Sequence, residues 1–114
     1  MRIPGTLIGT KSNKSFKPLK KKAAVLLQHG LEIDASEWVI NSPDNAPAFI
    51  LAAQGYDVWM GNNRGCRYSL GHVTLNSTYG SPDAALYWSF SFEEMGLYDI
   101  PAEIDFILRA TGQK

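Results

Sequence analysis

Residues 23–60 limit the folds open to this chain more than any other stretch. Residues 23–28 (AAVLLQ) are a continuous apolar run of strand length, entered from lysines, which is the pattern of a strand buried on both faces of a parallel sheet. A loop over residues 30–42 follows. Residues 48–53 then supply the buried face of a helix. Asp44 or Asn45 is its expected cap, Pro47 stands in its first turn and Gly55 stops it. Residues 56–60 read as the next strand. Strand, helix and strand within about forty residues make a βαβ-type unit, and such units build open α/β sheets.

Around this unit the chain is less regular. Residues 2–8 read as a short strand interrupted by Pro4 and Gly5, and residues 9–22 as a polar connection whose basic cluster, residues 17–22, is a solvated loop. Residues 61–82 hold four glycines and no usable period, and loops of that length tend to carry function. Ser91 followed by Glu94 matches a capping box and predicts a helix over 92–110. Pro101 removes a backbone donor inside it, so a kink is expected near 97–100, and Gly112 is placed to end it.

Composition excludes several classes of function. Eleven basic and eleven acidic side chains leave no global field to attract nucleic acid or an anionic surface, so no nucleic acid is expected as a partner. At 114 residues the chain holds at most one small domain. Cys66 is the sole cysteine, so no internal disulfide can form. No apolar run approaches the roughly 20 residues of a spanning helix, and the residues after Met1 do not show the charged start and apolar core of a signal peptide. His29 and His72 have no cysteine or carboxylate cluster at zinc-like spacing, so no metal is expected. No Gly-x-Ser-x-Gly occurs, and no serine sits on a strand-to-helix elbow where its hydroxyl would be activated.

Four blocks, residues 25–31, 48–65, 87–95 and 98–107, occur in an order and at a spacing that resemble the N-terminal part of the acid lipases, the gastric and lysosomal branch of the α/β-hydrolase fold. The resemblance implies that residues 1–114 are a single incomplete α/β domain: the N-terminal half of a mostly parallel sheet with flanking helices, without the nucleophile strand or the cap. It implies that His29, Gly30 and Leu31 form the oxyanion turn. The Leu31 N–H would be one donor, Gly30 would permit the turn and His29 would shape it. In that family the serine, acid and histidine come later than residue 114, so none can be carried over and the chain by itself is expected to be inactive. The family hydrolyses triacylglycerols and steryl esters without a cofactor and is usually lysosomal or secreted. The chain departs from the family pattern at Glu32-Ile33-Asp34, Cys66 and Ser89, and acidic groups facing the turn would oppose a developing negative charge.

Arg64 is expected to fix neighbouring carbonyls or a carboxylate rather than touch substrate. Trp38, Trp59 and Trp88 read as core or core-margin packing, with a lipid contact by Trp88 beside Phe90 and Phe92 as the alternative. By resemblance, strand 23–28 lies mid-sheet, so one of its edges needs a cover, either a further protein segment or a partner chain. The functional expectation is therefore the front part of a lipid ester hydrolase in lipid metabolism. The alternatives are a non-catalytic, lipase-derived interaction or structural subunit of a larger assembly, and a small α/β binding module unrelated to lipases.

Overall fold

The computed structural model of the chain describes residues 1–3 and 22–114. Among these, β1 (Arg2–Ile3), β2 (Ala24–Leu27) and β3 (Asp57–Met60) form one sheet in the order β1-β3-β2. β2 and β3 run parallel, with Val25 opposite Val58 and Leu27 opposite Met60, while β1 is antiparallel to β3. The polar connection and basic cluster expected over residues 9–22, and the expected first strand beyond Ile3, lie outside the described residues apart from Lys22.

Helix α1 (Pro47–Ala53) joins the two parallel strands and completes the expected βαβ unit. Its cap differs from the expectation. Ala46 occupies the cap position without a side-chain bond and is fully buried, a place where a polar cap would lose its water. The Asn45 amide instead donates to the Ser42 hydroxyl at 3.0 Å. Ala48 and Ala52, one turn apart on α1, are buried with Ala35, Val58 and Met60. Leu27, Trp38, Val39 and Leu51 pack around that core. Loop 30–42 is not wholly irregular, because Asp34 caps a short 3-10 turn (Ala35–Trp38) by accepting from the Ser36 N–H at 2.8 Å.

All four residues of β2 are only partly buried, unlike the doubly covered strand that the apolar run suggested. The physical reason is its position: among the described residues β2 pairs on one edge alone. On the other edge the Gln113 side chain takes the place of a neighbouring peptide, accepting from Ala24 N–H at 3.3 Å and donating to the Lys22 carbonyl at 2.8 Å. On the far side of β3, the Arg2 guanidinium forks onto Asp57 with two bonds of 2.8 Å, which holds that buried carboxyl below the usual carboxylate range.

After β3 no strand or helix forms until α2 (Ala84–Tyr87), in accord with the glycine-rich composition of that segment. Ser91 and Glu94 make the expected capping box at the start of α3 (Phe92–Glu94). Where Pro101 leads one to expect a kink, the backbone changes its hydrogen bonding. The chain passes through one π-helical turn (Met95–Asp99), in which the Ile100 N–H donates to the Met95 carbonyl, and then continues as α4 (Ile100–Thr111) with Pro101 in its first turn. Gly112, left-handed at φ 62°, ends the helix as expected.

Candidate active site

The C-terminal ends of β2 and β3 open onto a cavity of about 410 Å³. The turn after β2 forms one wall, the loop after β3 another, and Trp88, Phe90 and Met95 a third. Ligand-facing loops of open α/β sheets sit at this end of the strands.

The histidine of the first wall is structural in its bonding. His29 is buried, its Nε2 accepts from the Asn63 N–H at 3.0 Å, and its Nδ1 lies 2.7 Å from the Gly30 carbonyl. An accepting Nε2 places the proton of a neutral ring on Nδ1, where it donates to Gly30. The ring therefore ties the turn after β2 to the loop after β3. Gly30 N–H donates to the Glu37 carboxylate at 3.1 Å, whereas the Leu31 N–H has no acceptor among the described residues and its side chain is exposed. The left-handed residue of this turn is Glu32, at φ 62°, and a Cβ on Gly30 would meet only ordinary contact with Ile33.

Of the acidic residues beside the turn, Asp34 is engaged in its helix cap. The Ser36 hydroxyl and N–H hold its carboxyl below the usual range. Glu32 remains exposed at the cavity wall.

The loop after β3 is held by three successive amides. Asn62 N–H donates to Glu103 at 2.9 Å, Asn63 N–H to His29, and Arg64 N–H to Asp99 at 2.9 Å. The Arg64 side chain forks onto the same Asp99 at 2.7 and 2.9 Å, as expected of a residue that fixes a carboxylate. Asn62 ties the loop after β3 to the 3-10 turn: its Oδ1 accepts from Ala35 N–H at 3.1 Å and from the Cys66 thiol at 3.4 Å. Trp88 is exposed at the rim rather than in the core, with its indole N–H on the Ser77 carbonyl.

Asp99 and Glu103 were not singled out from the sequence. The available signal was their spacing: Asp99, Glu103 and the buried Ile107 follow at intervals of four, one face of a helix.

Burial raises the Glu103 carboxyl above its usual range. The Asn62 N–H opposes that shift, Asp99 reinforces it, and His29 and the N-terminus oppose it. The folded chain thus holds the proton to higher pH than the unfolded chain, so this group's contribution to stability falls as pH rises from about 4.3 through the raised value. Glu103→Gln keeps an acceptor for Asn62 and removes the titration. The difference in thermal midpoint between variant and parent is expected to move in the variant's favour across that window and to level off above it. A constant difference from pH 4 to pH 8 would contradict the assignment.

No family model matches the chain. Among curated proteins it is similar to the gastric triacylglycerol lipase of Mus musculus, with 48% identity over 101 residues that cover 89% of this chain and 24% of the relative. It is similar to lipase member K of Homo sapiens, 53% identical over 93 residues, 82% of this chain and 22% of that one. It is also similar to the tear acid lipase-like protein of Mesocricetus auratus, 52% identical over 93 residues with the same coverage. The chain thus spans less than a quarter of the length of these relatives.

Proposed function

We propose, because most of this sequence is about 50% identical to lipases of the gastric and tear acid lipase kind, that residues 1–114 are the N-terminal part of an α/β-hydrolase-type lipid ester hydrolase and supply its oxyanion turn. The observation that carries the reading is the Leu31 N–H at the wall of the cavity, without an acceptor among the described residues, on a turn that His29 anchors to Asn63. In ester hydrolysis a serine attacks the carbonyl carbon and negative charge gathers on the carbonyl oxygen. A fixed N–H aimed at that oxygen lowers the barrier because it need not reorganise as the charge forms. Trp88, Phe90 and Met95 offer an apolar wall for an acyl chain. The serine, acid and base are to be sought outside these residues, and by kinship the substrates are acylglycerols or steryl esters in a secreted or lysosomal setting.

The edge of β2 that no strand covers among the described residues favours one second reading, a non-catalytic subunit with a partner chain on that edge. Reaction of the native protein with a fluorophosphonate separates the two. One adduct is expected, on a serine within a Gly-x-Ser-x-Gly element covalently continuous with residues 1–114. An unlabelled protein holding a partner chain would overturn the hydrolase reading and leave the second.

A further inference from the structure

We propose that Asn76 is an attachment site for N-linked carbohydrate. Asn76-Ser77-Thr78 is the acceptor pattern for that modification, with no proline between. The structure puts it where an acceptor has to be. Asn76, Thr78 and Tyr79 are exposed in the long irregular segment after β3, and Asn76 does not line the cavity at the ends of β2 and β3. The side chain is also in a usable state: its Oδ1 accepts from the Thr78 N–H at 2.9 Å, while its Nδ2 has no partner among the described residues.

The backbone around it is tethered from behind. Ser81 donates its hydroxyl to the Asn76 carbonyl at 2.9 Å, and the Trp88 indole donates to the Ser77 carbonyl at 3.1 Å. A glycan on Nδ2 would therefore project from a held loop without displacing a bond. It would also shield the apolar surface beside it, where Val73 is 98% and Tyr79 99% exposed.

The chemistry is a group transfer. Nδ2 attacks C1 of the first sugar of a lipid-pyrophosphate-linked oligosaccharide, the C1–oxygen bond breaks, and the lipid pyrophosphate leaves with the electron pair. The amide nitrogen loses one proton, and nothing is oxidised or reduced.

The proposal rests on the functional reading above, because such donors act on chains that enter the secretory route. The test is site-resolved mass analysis of the native protein after enzymatic removal of N-glycans in heavy-oxygen water, which converts an occupied Asn76 to labelled Asp. Site resolution is needed because Asn13-Lys14-Ser15 has the same pattern. Label at position 76 in most copies is expected, and its loss in both Asn76→Gln and Thr78→Ala. An unmodified Asn76 overturns the site whether or not the protein reacts with the fluorophosphonate. A modified Asn76 in a protein that does not react keeps the site and removes the hydrolase reading.

Discussion

Gly65→Val is expected to lower the stability of the protein by about 2–4 kcal/mol and to close part of the cavity. Two costs coincide there. Gly65 is left-handed at φ 79°, a conformation that a β-branched residue adopts at a cost of roughly 1–3 kcal/mol. Its missing Cβ would also stand 2.6 Å from Phe90 Cζ and 2.8 Å from Trp88 Cζ3, closer than packed carbon atoms approach. Relief requires one of two packed rings to leave the cavity wall, and Phe90 also lies over the Arg64 guanidinium at 5.9 Å. Gly65→Ala, with the same φ but no branch, separates the terms and is expected to lose less. Urea unfolding of the purified variants gives the comparison. A valine variant within about 0.5 kcal/mol of its parent, inside the scatter of ordinary surface changes, would show that the rings yield freely.

The second large effect is expected at Asp99. This carboxylate accepts from the Arg64 N–H, Nε and Nη2, so Asp99→Ala strands one backbone donor and one guanidinium together. The Asp99 side chain is 14% exposed and that of Arg64 36%, which places the pair between a surface ion pair and a buried one. A loss of about 2 kcal/mol follows, above the 0–1 of exposed pairs and below the 3–5 of a broken buried pair. Asp99→Asn retains an acceptor for the Arg64 N–H and is expected to lose less. Removing the Asp99 charge also removes a like charge that raises Glu103, so the Glu103 window should move to lower pH in Asp99→Ala. Equal thermal midpoints for parent and alanine variant across pH 5–8 would show that Arg64 finds another acceptor.

Much of this fold is legible in the order of residues because local and tertiary preferences agree. The apolar run ending at His29, Gly55 after a helix of small and apolar residues, and the Ser91–Glu94 box each specify one local conformation, and the packed chain keeps it. The cap of α1 was misplaced because Asp44 and Asn45 have the right side chains, while burial decides which residue sits at the cap, and Ala46 is fully buried. The π-helical turn before Pro101 accords with a missing N–H, and a periodicity reading that expects one continuous helix over 92–110 does not place it.

The candidate site divides in the same way. His29, Gly30 and Leu31 enter as candidates through the resemblance to the acid lipases, and Arg64 through its place between glycines at the end of a strand. Spacing puts Asp99 and Glu103 on one helix face, but a carboxylate there is ordinarily solvated, and only packing turns these two toward the amides of Arg64 and Asn62. The sequence by itself determined the βαβ unit, the helix start at Ser91 and the similarity to acid lipases, because periodicity, capping and motif order are written in the order of residues. The tertiary structure alone decided which donors and acceptors meet across 34 to 41 positions, from His29 to Asn63, Arg64 to Asp99 and Asn62 to Glu103. The reason is physical: a buried polar group takes whichever partner the packed chain brings within about 3 Å, and no local rule encodes that distance.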